Sequence, residues 1–259
     1  MYNKYLIKEI LPILNIENSK VTKKINFSSK KNNTVDPVTK FDVNIEKKIK
    51  NKILKDFPKH SFSGEELEDT FSNESEITWI VDPIDGTKAL LCGQPTWSNL
   101  IGVKKRDEMV SSFINFHELK KIYYTNKNKS YILESNLKPK VIMSSKIKNL
   151  SQAKLITNSI HTFYNNRIFN FFNNYKNFFK ITGCDAYNFC MIAEGKIDVM
   201  IEAGLKQVDI LPVKKLLENA GAIITNWEGH RDISEGKIIA SGNKLLHNQF
   251  LKLIKLNKI

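Results

Sequence analysis

Arginine is almost absent from this chain of 259 residues, occurring only at positions 106, 167 and 231. A nucleic-acid-binding face wants clustered Arg and Lys with aromatic platforms, so a basic nucleic-acid binder without catalysis is the outsider reading despite a formal net charge of +13. The charge sits on lysines scattered among acids, the usual pattern of a solvated surface. Its field would at most draw anionic substrates inward. Cysteine is scarce too. Cys92, Cys184 and Cys190 form no Cys-x-x-Cys pair and no zinc spacing, and an odd set argues against a disulfide framework and for a reducing cytosol. No apolar run is long enough to span a bilayer, and the start from Met1 to Leu11 mixes charge and apolar residues at helical spacing, unlike a signal peptide. Internal repeats are lacking. What remains is a 41% hydrophobic composition, ordinary for a globular protein. The length suffices to bury a full core as one domain, 1–259, in two closely joined halves of about 1–138 and 150–259.

Against that background one stretch stands out: Trp79-Ile80-Val81-Asp82-Pro83-Ile84-Asp85-Gly86-Thr87. Its apolar start reads as the end of a buried strand. The run stops at Asp82 and Asp85, two carboxylates three residues apart, beside a proline that fixes the turn. Gly86-Thr87 then frees two backbone N–H groups, as at a tight turn opening a short helix. Carboxylate oxygens suit a hard cation such as Mg2+, and N–H groups at a helix start suit a phosphate. An isolated Asp-x-x-Asp is usually an acidic surface turn. The nine residues together favour a metal-assisted phosphate site.

Residues 2–26 read as a helix interrupted near Pro12, and 42–57 as a clearer one stopped by Pro58. Short apolar runs at 98–103, 110–116, 122–125 and 131–133 predict an antiparallel meander. A polar, Lys-rich stretch at 134–152 joins the halves. The second half alternates, with strands expected at 153–157, 178–181, 199–202, 222–225 and 238–240. Helices are expected at 163–173, 186–194, 209–220 and 245–256, and Pro212 is taken to lie in a first helical turn. Meander and alternation together predict layered α/β architecture.

Other acidic blocks keep the motif company: Asp36-Pro37-Val38-Thr39-Lys40-Phe41-Asp42, Ser63-Gly64-Glu65-Glu66, Gly183-Cys184-Asp185-Ala186-Tyr187, and Glu202-Ala203-Gly204-Leu205-Lys206-Gln207-Val208-Asp209. In this order and spacing they resemble the inositol monophosphatase-like family of Mg2+-dependent phosphatases, from about Phe27 to Asn243. The resemblance implies alternating layers of helices and sheets with the active site between two halves. It implies two or three Mg2+ ions, one held by Glu65, Asp82 and the Ile84 carbonyl, another by Asp82, Asp85 and Asp209. Thr87, hydrogen-bonded to Asp42, would orient the attacking water, and the Gly86 and Thr87 N–H groups would hold the phosphate. On its residues alone, Asp42 reads as a solvated helix acid. The family's usual aromatic before the last aspartate is Val208 here. No histidine is needed: His60, His117, His161, His230 and His247 read as surface or packing.

The substrate must come from neighbouring groups. Gly86-Thr87-Lys88 followed by Gly93-Gln94-Pro95, and the Gly-Cys-Asp-Ala-Tyr and Glu-Ala-Gly-Leu-Lys strings, resemble the histidinol-phosphatase branch. Histidinol phosphate carries an ammonium and an imidazole, so Asp185 and Glu202 are the candidates to receive them; for Asp185 the competing reading is a helix N-terminal acid favoured by the dipole. Inositol 1-phosphate and 3′-phosphoadenosine 5′-phosphate are the alternative substrates. The expected partner is a small-molecule phosphate ester, with no membrane, no nucleic acid, and a homodimer left open.

Overall fold

The computed structural model of the protein describes residues 2–21, 27–31, 34–135, 137–157, 170–171, 175 and 184–257. Outside them lie 22–26 of the first expected helix, nearly all of the helix at 163–173, the strand at 178–181, His161 and Gly183.

The chain opens with a helical turn, Tyr2–Tyr5, a π-helical turn, Leu6–Ile10, and helix α1, Leu11–Asn18. Pro12 sits at the start of α1, where its missing N–H costs little. The wider π turn before it is closed by the Leu11 N–H on the Leu6 carbonyl. The expected interruption therefore takes the form of a π turn. A hairpin of β1 (Phe27–Lys31) and β2 (Thr34–Thr39) follows, then helix α2 (Lys40–Asp56). Ile45, Ile49 and Ile53 recur at helical spacing along α2 and are fully buried.

A seven-stranded sheet comes next: β3 (Ser61–Gly64), β4 (Ile77–Asp85), β5 (Ser98–Lys105), β6 (Glu108–Phe116), β7 (Lys121–Asn126), β8 (Lys129–Glu134) and β9 (Lys140–Ile142), in that spatial order. Strands β3 and β4 pair in parallel and the rest antiparallel, so the meander is as expected. Strand β9 lies inside the supposed linker at 134–152. The short helix α3 (Thr87–Leu91) leaves the end of β4. In the second half, β10 (Leu155–Ile156), helix α4 (Asp185–Ala193), β11 (Val199–Glu202), helix α5 (Gln207–Ala220), β12 (Ile223–Thr225), β13 (Ile238–Ser241) and helix α6 (Lys244–Leu256) follow in turn. Their strands form a four-stranded sheet, β10-β11-β13-β12.

Side chains alternate across a strand, and the cores follow that rule. Ile101, Val103 and Phe113 point to one face of the large sheet and pack with Leu6, Ile10, Leu14, Ile45 and Ile49 of the N-terminal helices. Leu100 and Ile114 point to the other, where Phe189 of α4, Leu216 of α5 and Met200 of β11 share one core with them. Helix α6 covers the far face of the small sheet through Leu246, Phe250 and Ile254. The layers run helices, sheet, helices, sheet, helix. Helix α5 lies close on the large sheet at Gly102, where an added Cβ would stand 3.1 Å from the Pro212 Cα. Pro212 is the sixth residue of α5, in its second turn and not the first.

Candidate active site

Strand β4 does not end at Asp82. It runs on through Pro83 and Ile84 to Asp85, with a register shift against β5: Asp82 pairs with Leu100 but Asp85 with Ser98. Three residue steps on β4 therefore oppose two on β5, which makes a bulge, the usual device for re-aiming side chains. The bulge suits the sequence. Pro83 has no N–H to give the ladder, the Ile84 N–H donates to Asp82 Oδ1 at 2.9 Å, and the Pro83 carbonyl accepts from Asn99 Nδ2 at 2.7 Å. Asn99 is itself held by Asn18 and Asn115, both donating to its Oδ1 at 2.8 Å. The turn that follows needs glycine. Gly86 has φ +79°, and a Cβ there would collide with the Cys184 sulfur, just ahead of α4.

Glu65 directly follows β3, and three helix beginnings supply the other acids. Thr39 caps α2 with its hydroxyl on the Phe41 N–H at 3.1 Å, and Asp42 returns the favour by accepting from the Thr39 N–H at 3.0 Å and from the Thr39 hydroxyl. This is a capping box. Asp42 is only 1% exposed, so the reading of it as a solvated helix acid is corrected here. Its other oxygen faces the Thr87 hydroxyl at 3.4 Å, whose single proton is within reach of both that oxygen and the Ile84 carbonyl at 3.1 Å. Asp209 lies in the first turn of α5 and accepts from the Lys206 N–H at 2.7 Å. Asp185 is the first residue of α4.

These elements bring carboxylate oxygens of Glu65, Asp82 and Asp209 within 4.8 Å of one another. Asp85 is outside that trio but within its field, with Ser98 Oγ donating to its Oδ2 at 3.3 Å. Burial first, then the charges of Glu65, Asp85 and Asp209, push the Asp82 carboxyl well above the ordinary range. Asp85 is pushed up likewise, with Asp185 the leading charge. The Asp209 residue is partly open, yet its carboxylate sits deep among the other acids, and burial raises it to about 7. So many anions in low dielectric repel one another, and a divalent cation among them removes the repulsion. An all-oxygen donor set of this kind fits Mg2+. One cation is already there: Lys206 Nζ lies 2.7 Å from Glu65 Oε1.

Other expected residues behave differently. Glu202 ends β11 at 2% exposure, with its Oε1 accepting from the Thr157 hydroxyl at 2.7 Å and its carbonyl accepting from Trp227 Nε1 at 3.0 Å. Val208 packs against Ile80 and Met109 in a small apolar cluster. His60 accepts from Trp79 Nε1 at 3.0 Å, and buried His247 sits between the Thr225 and Ser241 hydroxyls; both are packing residues.

One residue escaped the sequence reading. Glu46, fully buried on α2, accepts from the backbone N–H groups of Glu65 (3.0 Å), Glu66 (2.8 Å) and Leu67 (2.9 Å). The signal was there: an acid in register with Asp42, on the same face as Ile45 and Ile49.

Comparison with known proteins agrees with this geometry. Residues 5–258 match the model of the inositol monophosphatase family. The chain is 30% identical over 226 residues to a fructose-1,6-bisphosphatase/inositol-1-monophosphatase of Aquifex aeolicus (85% of this chain, 82% of that one). It is 29% identical over 231 residues to the bifunctional phosphatase IMPL2, chloroplastic, of Arabidopsis thaliana, covering 85% of this chain but 65% of the plant protein. A histidinol-phosphatase of Chlorobaculum parvum is 25% identical over 235 residues (87% and 85%). Among solved structures, an IMPase/NADP phosphatase complexed with Mg2+ and phosphate superposes with a TM-score of 0.82 at 19% identity, over 98% of this chain and 95% of that one. The layered fold, the acidic cluster and the match along almost its whole length make this chain a member of the inositol monophosphatase family, whose phosphatases depend on Mg2+.

Proposed function

We propose that this chain is a histidinol-phosphate phosphatase, converting histidinol phosphate and water to histidinol and phosphate in histidine biosynthesis, in the cytoplasm. The observation that carries the reading is Asp185. Its charge acts on both Asp85 and Asp209, so it lies beside the metal-binding acids without belonging to their trio. A substrate whose phosphate sits at the cluster would bring a short-armed ammonium toward that carboxylate, and a charge-assisted hydrogen bond there is strong. The histidinol-phosphatase name of a relative supports the same substrate.

Glu65, Asp82, Asp85, Asp209 and the Ile84 carbonyl would hold two or three Mg2+ ions. Bound there, Mg2+ supplies Lewis acidity, making water a nucleophile at neutral pH and offsetting phosphate charge. The chain's own residues do the rest. Thr87, its hydroxyl donating to Asp42, accepts from and orients the water, so that the water's proton passes to the Thr87 oxygen as the hydroxyl's own proton passes to the Asp42 carboxylate. The Gly86 and Thr87 N–H groups receive phosphate oxygens.

The test is a comparison of kcat/KM with Mg2+ for histidinol phosphate, inositol 1-phosphate, fructose 1,6-bisphosphate and 3′-phosphoadenosine 5′-phosphate. Histidinol phosphate is expected to lead. Asp185→Asn should weaken it by about 1.5–3 kcal/mol, the worth of a hydrogen bond to a charged group, and leave a generic aryl phosphate nearly unaffected. Equal losses on both would make Asp185 a helix-start residue only, and a preference for inositol phosphate would overturn the substrate while sparing the metal chemistry.

A further inference from the structure

Helix α2 touches the cluster twice. Asp42 holds the Thr87 hydroxyl. Four residues on, one helical turn and the same face, Glu46 holds the loop that carries Glu65. Three consecutive N–H groups converge on one carboxylate: Oε2 accepts from Glu65 and Glu66, and Oε1 from Leu67. Successive N–H groups in a turn form an anion-binding concavity. Here the anion is internal. The loop also begins at Gly64, where any Cβ would run into the Glu46 carboxylate; φ there is not positive, so the glycine serves close approach and not an unusual backbone shape.

A buried carboxylate is costly to maintain, and this one stands near the negative charge of Glu65, which helps push its own carboxyl upward behind the effect of burial. An apolar residue at this position would take that acceptor away from three N–H groups, so the carboxylate is tied to holding this stretch of backbone in place. We propose that Glu46 is a positioning residue for the metal site: by clamping the backbone of Glu65–Leu67 it fixes where the Glu65 carboxylate stands relative to Asp82 and Asp209. One helix thus sets both the water-orienting pair and a metal ligand. The proposal rests on the reading of the cluster as a Mg2+ site.

Glu46→Gln in the full chain tests it, since the amide keeps the size but offers only one accepting oxygen to three donors. Two readings are taken beside the wild type and beside Ile53→Val, a core trim two turns farther along α2 that matches a loss of stability. The first is the Mg2+ dissociation constant by calorimetry; the second is amide hydrogen exchange of 65–67 in EDTA. Losing a partner that orients a ligand costs about 10–100-fold in metal affinity, so Glu46→Gln should raise Kd by at least about tenfold and speed exchange at 65–67. Ile53→Val should change neither, and kcat of Glu46→Gln should recover at saturating Mg2+. If Glu46→Gln merely melts lower, with Kd and exchange like those of Ile53→Val, the proposal is wrong. Should that variant not fold, Gly64→Ala, which displaces the carboxylate without removing it, is read the same way with the same outcomes. A wild type that binds no Mg2+ would sink the metal-site reading itself, whereas the exchange measurement, made without metal, would still judge the clamp.

Discussion

In the proposed mechanism Thr87 orients the water, and both of its neighbours are fixed by the fold. Its hydroxyl lies between the Ile84 carbonyl and Asp42, and Asp42 is pinned by the cap of α2. Thr87→Ala should lower kcat by on the order of 10²-fold, the scale of a positioned acid–base group, with little change in Mg2+ affinity; a loss confined to KM would move Thr87 to substrate binding. Asp209 offers a test by pH. Its folded-state pKa of about 7 stands above the ordinary 3.8, so the folded state holds that proton more tightly than the unfolded one. The resulting penalty is absent below about pH 4, grows from there to about 7 and is complete above. In EDTA, Asp209→Asn should therefore gain Tm relative to wild type as pH rises from 5 to 8, and a gap that stays constant would contradict the shift. Sequence made Asp82 and Asp85 plain because they are local to one motif. Asp42 and Glu46 were hard to read, since a helix acid looks solvated until one knows what its face meets: their partners lie 45 and about 20 residues away, and the local hint is only their four-residue spacing beside Ile45 and Ile49.

At the scale of elements, the site depends on a bulge at the end of β4 and on helices that begin at it. In sequence the bulge looks like a strand end, because proline and two acids usually stop a strand. What keeps the strand going is the pairing of Asp85 with Ser98 and the hold of Asn99 on Pro83, contacts no local pattern announces. The meander and, among the described residues, the second half's alternation from 184 on were legible because their apolar periods are clear. The hairpin of β1 and β2 and the strand β9 were not, since the hairpin's sequence is mostly polar, β9 is only three residues in a Lys-rich stretch, and their pairing is set by neighbours. Helix α5 carries Asp209 into place by lying tightly on β5. Gly102→Ala would put a methyl against the Met109 side chain and the Pro212 backbone. Overpacking of this kind costs about 1–3 kcal/mol, so Tm should drop and Mg2+ affinity fall with it as α5 is pushed outward. An unchanged Tm would mean that the helix seat is looser than drawn.

Taken whole, the molecule is a stack of five layers in which acids from the large sheet and from the starts of α2, α4 and α5 meet. No helix among the described residues is long and apolar enough to cross a membrane. The cluster is destabilising as it stands, since burial and mutual repulsion raise Asp82, Asp85 and Asp209 together. A cation that binds only the folded state stabilises it by mass action. Mg2+ should raise Tm progressively with concentration, and the rise should shrink in Asp82→Asn; an equal rise in both would assign the effect to ions bound elsewhere. The most direct test of the central claim is phosphate release from histidinol phosphate by wild type and Asp82→Asn, each titrated with Mg2+ from an EDTA-stripped state. The account predicts no turnover without Mg2+, saturable activation of the wild type, and loss of most activity in the variant. Full turnover in excess EDTA, or a variant with wild-type kcat and unchanged Mg2+ dependence, would contradict it.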